Sequence, residues 1–223
     1  MTGDVSKANR TRSRLEPARI AREALAMLDA EGVEALSMRR LAERLDVGTM
    51  TLYGYFRSKE ELLDAAVGAA VEDFDFTPPE GDARTQLRAH AHAVRDVLAR
   101  HPALPRIRGR QPIMQPAAFR MSEPGMRILL DAGFPPGEAA QAFRVLFVHI
   151  FGSMLFGGDA LSPGEQRAAR ASLHLLPEDE FPAIAATADA IATTMAGPEQ
   201  FDYGLERILD GFEARLRELR AAA

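Results

Sequence analysis

The sequence contains no cysteine among its 223 residues, and this absence excludes several kinds of chemistry at once. Without thiols a protein has no disulfides, no thiolate zinc sites and no cysteine nucleophiles, and such a composition fits a reducing cytoplasm. No apolar run approaches the roughly 20 residues that span a bilayer, and the first residues are polar and basic, unlike a secretory signal. We therefore expect a cytoplasmic protein with no membrane partner, no metal and no other cofactor.

Enzyme signatures are also missing from the sequence. It contains no GxSxG nucleophile elbow, no P-loop and no GxGxxG turn. His90 and His92 are two positions apart on a predicted helix, so they point in different directions and cannot jointly bind a metal. An enzyme would need a site assembled from distant residues, and no pattern in the chain indicates one.

Apolar residues recur every three to four positions along most of the chain, which predicts an all-α fold. We expect a flexible basic arm at residues 1–16, a three-helix domain at 17–63 and a larger helical domain at 64–223. The first predicted helix covers residues 17–31, with Gly32 as its stop. The other predicted segments are helices at 58–74, 82–100, up to 131, 138–156, 162–175, 178–195 and 198–219, a loop at 77–81, and a proline-broken stretch at 104–116.

Residues 36–63 carry the pattern of a helix-turn-helix. Ser37 can cap a short first helix, because its hydroxyl accepts from the free backbone N–H groups of the next turn. The apolar face of that helix is formed by Leu41, Ala42 and Leu45. Gly48 then supplies the permissive backbone that a sharp turn between two helices needs.

The second helix of this pattern, residues 49–55, has two turns and is too short to be stable alone. Leu52 and Phe56, four positions apart, are the predicted anchors that hold it against its neighbours. Ser58 and Glu61 match a capping box, which predicts the start of a third helix. Because the second helix of a helix-turn-helix enters the DNA major groove, the pattern predicts double-stranded DNA as a partner.

The outward side of residues 48–55 carries almost no charge. Threonine and tyrosine hydroxyls reach phosphates and base edges, and threonine or methionine methyls touch thymine methyls. Lys59 lies in the first turn of the next helix, where a cation opposes the helix dipole and favours a DNA phosphate; a solvated surface lysine is the alternative. Residues 1–22 hold six basic and two acidic side chains, so a local positive potential can attract DNA although the net charge is −5.

Residues 17–63, with the core GVEALSMRRLAERLDVGTMTLYGYFRSKEELL, resemble the DNA-binding domain of the TetR family of bacterial transcriptional repressors. The spacing LAxxLxVxxxTLYxYxxxKxxL is hard to reach by chance. The segments EPGMRILLDAGF and FDYGLERILDGFEARL are similar, more loosely, to the C-terminal domain of the tetracycline repressors. The resemblance implies a homodimer that binds a palindromic operator and is released when a small-molecule effector fills its ligand-binding and dimerisation domain.

By position, the resemblance implies that Arg39 and Thr49 reach base edges and that Met50 makes an apolar base contact. It implies phosphate contacts for Ser37, Thr51, Tyr53, Tyr55 and Lys59. The tetracycline repressors have a tryptophan where this chain has Gly54, and a glutamine where it has Thr49. We therefore expect a different operator.

The same resemblance bears on the ligand. Tetracycline repressors hold a magnesium–drug chelate with a histidine and polar partners, and Ile107 occupies that histidine position here, so we expect an organic, largely apolar ligand without metal. Aromatic residues four apart on the 138–156 helix form a pocket wall, a packed core or a dimer face. His149 is either a pocket hydrogen-bonder or a satisfied core or interface histidine. The candidate ligand-binding residues are Phe143, Phe147, His149, Phe151, Ile107 and Gln111.

A second apolar stripe lies on the last predicted helix and consists of Leu205, Ile208, Leu209, Phe212, Leu216 and Leu219. It packs inside the subunit or joins the 138–156 helix in a four-helix dimer bundle. The favoured function is a ligand-responsive, sequence-specific DNA-binding repressor. The rival interpretation is a helical enzyme or interaction module whose helix-turn-helix is scaffold, because fold alone does not decide function.

Overall fold

The computed structural model describes residues 15–110, 116–156, 162–194 and 199–222. Across these ranges the chain forms eleven α-helices and one 3-10 turn, without a strand, which confirms the all-α prediction. Two compact units are present: residues up to Phe74 together with 106–120, and residues 75–105 together with 121 onward. The domain boundary after residue 63 stays a prediction.

The first unit is built on four helices connected by short turns. They are α1 (Pro17–Glu31), α2 (Met38–Arg44), α3 (Thr49–Tyr53) and α4 (Lys59–Glu72), and a 3-10 turn, Val33–Ala35, lies between α1 and α2. α1 stops at Gly32, as predicted, since its φ of 84° favours glycine. α1 packs along α4, and their buried residues include Ile20, Ala24, Met27, Leu28, Leu62, Ala66 and Val67.

Serine caps predicted from the sequence begin several helices. The Arg40 N–H donates to Ser37 Oγ at 3.2 Å at the start of α2. Ser162 and Glu165 form a complete capping box, in which the Glu165 N–H donates to Ser162 Oγ at 3.3 Å and the Ser162 N–H donates to the Glu165 carboxylate at 2.8 Å. Local hydrogen bonding therefore defines these helix starts.

At the start of α4 the predicted capping box is half formed. The Glu61 N–H donates to Ser58 Oγ at 3.2 Å, as expected. The Glu61 carboxylate, however, accepts from the Arg57 N–H at 2.6 Å rather than from the N–H of Ser58. The Glu61 side chain therefore bonds to the backbone one residue before the position that a capping box uses, at the corner between α3 and α4.

Proline explains two differences from the predicted helices, one helix that was not predicted and one helix whose start was placed too early. α6 (Ala103–Arg110) forms inside the stretch that the sequence predicted to be proline-broken. Pro105 lies in its first turn, where a helix does not use the backbone N–H that proline lacks. α10 (Pro182–Thr194) begins four residues later than predicted, because Pro182 stands at its first position.

In the second unit, three long helices pack against one another: α5 (Ala83–Arg100), α8 (Pro136–Phe156) and α11 (Glu199–Ala222). α7 (Pro116–Ala132) contributes its residues from 121 onward, and α9 (Pro163–His174) packs on α10. The core of this unit includes Leu87, Val94, Val97, Leu98, Leu129, Leu146, Ile150, Leu205 and Leu209.

α8 is the strongly apolar helix that the sequence predicts at 138–156, and it begins two residues earlier. Among the described residues it is the helix long and apolar enough to cross a membrane, with a mean hydropathy of 1.5 over its best window. The core helix of a soluble protein passes the same test of length and composition. Here 28% of that window is buried inside the subunit, so much of its apolar surface lies uncovered.

A cluster of ion pairs joins α5 to α11. Arg88 Nε and Nη2 donate to the Glu206 carboxylate at 2.6 and 2.9 Å, and Arg84 donates to the same carboxylate. Arg84 also pairs with Asp210 at 2.8 Å. Because its charged form receives these bonds, the pKa of Glu206 is lowered to about 2.

Replacing Glu206 by glutamine should lower the free energy of unfolding at neutral pH by about 1–2 kcal/mol, because charge-assisted hydrogen bonds are lost at a partly exposed site. The folded-state pKa lies below the ordinary value of 4.5, so this stabilisation is present above pH 4.5 and disappears as the pH falls toward 2. Urea unfolding of both proteins across this range measures the difference.

Glu218→Gln is the matched control on the same helix. Glu218 pairs with Arg215 at 2.8 Å but is 66% exposed, so its loss should change stability by less than about 0.5 kcal/mol. Equal effects of the two substitutions at neutral pH would contradict the role of the Glu206 cluster.

Candidate nucleic-acid interface and ligand pocket

α3 is a five-residue helix held from behind by two buried side chains. Leu52 is fully buried and Phe56 is 5% exposed, which confirms both predicted anchors. The helix ends two residues earlier than predicted, where the Gly54 N–H donates to the carbonyl oxygens of Met50 and Thr51 at 3.3 and 3.2 Å. A helix this short is not stabilised by its own hydrogen bonds, so burial of its inner face holds it.

Asp46 makes the turn between α2 and α3. Its φ is 54°, in the left-handed region, whereas Gly48 has a φ of −71° that any residue adopts. Aspartate tolerates the left-handed region because its short polar side chain can hydrogen-bond locally. The Val47 N–H donates to the Ala42 carbonyl oxygen at 3.0 Å and closes the turn. The predicted role of Gly48 is therefore wrong, and the informative residue was the aspartate two positions earlier.

The outer side of α3 brings together most of the predicted DNA-contacting side chains. Met50 is 79% exposed, Thr51, Tyr53 and Tyr55 are exposed as well, and Thr49 is half-buried. None of these five belongs to the buried core. The surface therefore presents hydroxyls, a thioether and aromatic edges without a formal charge.

The predicted contacts on α2 are already hydrogen-bonded within the subunit. Ser37 Oγ accepts the helix-capping bond, which leaves its own hydrogen free to donate. Arg39 Nε donates to the Glu43 carboxylate at 2.9 Å, and the Arg39 side chain is 84% exposed. Exposed pairs of this kind contribute little stability, so Arg39 can exchange Glu43 for DNA at small cost. Arg40, by contrast, is bound to Glu31 of α1 at 2.6 Å.

Tyr55 and Lys59 also brace the first unit. The Tyr55 hydroxyl donates to the Leu15 carbonyl oxygen at 2.8 Å, and Lys59 Nζ donates to the Val33 carbonyl oxygen at 3.5 Å. An ammonium group has three donor hydrogens, whereas a phenol has one. Lys59 therefore keeps donors for a phosphate, but Tyr55 must release Leu15 before it can donate to one.

An aromatic stripe runs along α8 in the second unit. The rings of Phe147 and Phe151 stack with centroids 4.2 Å apart, and Phe143 lies 6.4 Å from Phe147. Phe151 is buried and the other two are half-buried. Among the remaining candidates, Ile107 is buried but belongs to the first unit, and Gln111 lies outside the described residues.

His149 faces α11 and has a partner there. Its Nε2 is 2.9 Å from the Phe201 carbonyl oxygen, and its ring stacks on Phe201 with centroids 5.0 Å apart. His92 and Arg95 of α5 contact the same phenyl ring. This arrangement is that of a satisfied histidine between helices, one of the two alternatives the sequence left open. Its place in a ligand pocket stays a prediction.

The sequence excluded a metal site shared by His90 and His92, but the environment of His90 was not predicted. His90 is 3% exposed, and its Nδ1 has no hydrogen-bond partner among the described residues. Burial lowers the pKa of His90 to about 4, so the ring is neutral at pH 7. Its spacing from Leu87 and Val94, three and four positions away, was the signal that places it on the buried face of α5.

A separate pocket of about 380 Å³ lies between α9, α10 and the start of α11. Its lining residues are Pro163, Gln166, Arg167, Arg170, Ala192, Thr193 and Glu199. The Arg170 guanidinium already pairs with Asp189 at 3.1 Å. Within the described ranges, no group of three histidine or acidic side chains lies close enough to hold a metal ion.

Comparison with known proteins agrees with this arrangement. Residues 20–66 match the family described as bacterial regulatory proteins, tetR family, and residues 77–216 match the tetracyclin repressor-like C-terminal domain. The chain is 30% identical to the HTH-type transcriptional repressor DrrR1 of Streptomyces coeruleorubidus, covering 91% of this chain and 78% of that protein. It is 32% identical to the class C tetracycline repressor of Escherichia coli, covering 90% and 92%.

Solved structures give the same result. Apo ActR from Streptomyces coelicolor superimposes with a TM-score of 0.81 at 28% identity, covering 92% of this chain and 98% of ActR. ActR in complex with actinorhodin superimposes with a TM-score of 0.78. The helix-turn-helix and the helical C-terminal unit define a DNA-binding regulator rather than an enzyme. The chain belongs to the TetR family of bacterial transcriptional regulators.

Asp46→Val should lower the free energy of unfolding by about 1–2 kcal/mol, because a β-branched side chain is strained in the left-handed region. Asp46→Gly should preserve or raise it, since glycine adopts this conformation freely. Urea unfolding measures both effects.

Gly48→Ala is the matched control for this turn. Its backbone is ordinary, and an added Cβ would meet its nearest atom, Thr51 Oγ1, at 3.7 Å. It should change stability by less than about 0.5 kcal/mol. A larger loss from Gly48→Ala than from Asp46→Val would show that the strained position is misassigned.

Proposed function

We propose that this regulator is a cytoplasmic homodimer that represses transcription by binding a palindromic operator through α3 of each copy. A small apolar ligand in the second unit then releases it. The observation that carries the proposal is the uncharged, hydroxyl-rich outer side of α3, anchored by Leu52 and Phe56 and flanked by Arg39. Two symmetric recognition helices require a palindrome, because the DNA site mirrors the symmetry of the protein.

The roles on DNA follow from position and chemistry. Thr49, Met50 and Arg39 are assigned to base edges, which carry sequence information. Phosphate contacts are assigned to Ser37, Thr51, Tyr53, Tyr55 and Lys59, of which Lys59 keeps the most donors. Phosphate contacts fix the position of the protein on the duplex and make affinity depend on salt.

The proposed dimer face is the outer side of α8, where apolar residues lie uncovered by the subunit. Val145 and Val148 are 51% and 50% exposed, and Leu155 and Phe156 continue the same side of the helix. Gly152 lies among them, and an added Cβ there would meet no atom within 4 Å. This surface fits a second copy of the same chain, since homodimers bury self-complementary apolar faces.

Two residues of the apolar stripe on α11 pack inside the subunit and not at the proposed dimer face. Leu209 is 1% exposed and packs inside the subunit, and Phe212 contacts Phe134 edge to face with centroids 5.9 Å apart. Glutamate at either position would therefore disturb folding before it tested an interface. Tyr203, which is exposed on α11, is the better candidate for a partner contact there.

The ligand proposal is supported by three observations. ActR has been crystallised with actinorhodin, so a structural neighbour takes up a small molecule. The half-buried rings of Phe143 and Phe147 offer an apolar surface. At the sequence position where the tetracycline repressors have a histidine that holds the metal–drug chelate, this chain has Ile107, which offers no lone pair to a metal. Release requires that the ligand prefer a dimer geometry whose recognition helices do not match both half-sites.

Selection of bound sequences from a random DNA pool tests the function. We expect a palindromic sequence, bound with an affinity that falls steeply as salt rises. Enrichment of no sequence, together with salt-independent retention on mixed DNA, would favour the scaffold interpretation of the helix-turn-helix.

On the selected operator, Thr49→Ala and Arg39→Ala should each cost roughly 1–3 kcal/mol and relax the preference at one base position. Lys59→Ala should weaken binding to all sequences alike and reduce the salt slope by about one. Anisotropy titrations at several salt concentrations measure both. As a control, Glu43→Ala should leave the preferred sequence unchanged. A changed preference with Lys59→Ala and none with Thr49→Ala would show that α3 is docked wrongly.

Val148→Glu should shift the protein from dimer to monomer at micromolar concentration, because it places a charge in the proposed apolar face. Sedimentation velocity measures the change. Leu175→Glu is the control, since Leu175 is 84% exposed but lies outside this face, and it should leave the dimer intact. A wild-type protein that sediments as a monomer would refute the proposed assembly.

A further inference from the structure

Met50 differs from the other described methionines in its exposure to solvent. It is 79% exposed, on the outer side of α3. The others are covered to a large extent: Met27, Met38 and Met121 are buried, and Met126 and Met154 are half-buried. An oxidant dissolved in water reaches a sulfur atom only where solvent reaches it, so Met50 is the accessible thioether among these residues.

The composition of the chain makes methionine the side chain on which an oxidant acts. The chain contains no cysteine, so no thiol competes with methionine for the oxidant. Oxidation converts the thioether into a sulfoxide, which turns a flexible apolar side chain into a polar, chiral one. The change is reversible, because two methionine sulfoxide reductases each reduce one epimer. Met50 therefore combines exposure with reversible chemistry.

The position of Met50 on α3 confines the effect of oxidation to the surface. Its backbone carbonyl oxygen accepts from the Gly54 N–H at 3.3 Å, and the buried residue of the helix is Leu52. Neither contact involves the thioether, so both survive its oxidation. The neighbouring Thr51 and Tyr53 are exposed and uncharged. A sulfoxide would thus add a strongly polar group to the proposed base-reading surface while the helix keeps its place.

We propose that Met50 is a redox-sensitive modification site, and that its oxidation by a hydroperoxide releases the regulator from its operator. The inference rests on the proposed DNA-binding function and adds a second input beside the ligand. In the reaction the sulfur lone pair attacks one peroxide oxygen, an S–O bond forms and the O–O bond breaks. The proton of the transferred oxygen moves to the departing oxygen, which leaves as water or an alcohol. Sulfur loses two electrons and the peroxide gains them.

The major groove offers few partners to a sulfoxide oxygen. That oxygen only accepts hydrogen bonds, whereas guanine O6 and N7, adenine N7 and thymine O4 are themselves acceptors. The donors at the base edges are the amino groups of adenine and cytosine. Against a thymine methyl, which an apolar Met50 side chain favours, the new oxygen would lose water without gaining a partner, and this weakens binding. Each copy of the proposed dimer carries one such residue, so the effect is doubled.

Treatment of the full-length protein with hydrogen peroxide tests the inference. Peptide mass spectrometry should find the added oxygen on Met50 first, and operator DNA present during treatment should protect it. Anisotropy titration should show operator affinity reduced about tenfold or more, the fold-change expected for an unsatisfied polar group in a contact. Methionine sulfoxide reductases A and B, with dithiothreitol as reductant, should remove the oxygen and restore the affinity.

The variants are each compared with their own untreated form, so a changed starting affinity does not affect the result. Met50→Leu has no sulfur at this position, and peroxide should not weaken its operator binding. Met126→Leu and Met114→Leu are the matched controls, since they remove a half-buried methionine of α7 and one outside the described residues. Both should lose affinity on treatment as the wild type does.

A further measurement on the wild type does not depend on any variant. Partly oxidised protein is mixed with limiting operator, and the bound and unbound fractions are separated. Mass spectrometry of each fraction should find the sulfoxide of Met50 enriched in the unbound protein, and the sulfoxides of the other methionines equally distributed.

Three results would overturn the inference. They are a Met50 that stays reduced while other methionines are oxidised, full operator affinity after Met50 is oxidised, and an equal loss of affinity in Met50→Leu. A protein that binds no operator before treatment would refute the proposed function, and the inference with it. Normal binding before treatment and no change after it would refute the inference alone.

Discussion

Burial of Leu52 and Phe56 is the constraint on which the position of α3 and its outer surface depends. Five residues of helix form too few hydrogen bonds to hold themselves, whereas burying a large apolar side chain contributes about 1.5–3 kcal/mol. The capped starts of α2 and α4 and the strained turn at Asp46 then set the direction of α3. The first unit is in effect a frame that presents one short helix.

Local signals in the sequence were sufficient for much of this frame. Ser37, Ser58 and Gly32 act on neighbouring backbone groups, so their roles can be predicted without knowledge of the tertiary structure. The turn was harder, because aspartate and glycine both tolerate a positive φ and the pattern does not say which one adopts it. α6 was not predicted because a proline can either end a helix or lie in its first turn. Which of the two occurs depends on where the helix begins, and the sequence does not mark that residue.

The candidate ligand site was less predictable for a related reason. Periodicity indicates that His90 and His149 lie on helices with buried faces, but it does not say what each ring meets. His149 meets a carbonyl oxygen of α11, whereas one edge of the His90 ring meets the backbone of α7 and its Nδ1 has no hydrogen-bond partner in the described part of the chain. The contacts of each histidine ring depend on which helices cross at that point. The packing of the whole unit determines those crossings, and the pattern of a single helix does not show them.

The separation of roles within α3 has a consequence for evolution. Leu52 alone is its buried residue, while Met50 and Tyr53 contribute nothing to the core. Mutations at the outer positions can therefore accumulate with little loss of stability, since substitutions outside the core are usually close to neutral. A duplicated copy of such a gene can acquire a new binding site on the chromosome while its fold remains the same. The short helix is in this sense an exchangeable part of a frame that is stabilised independently of it.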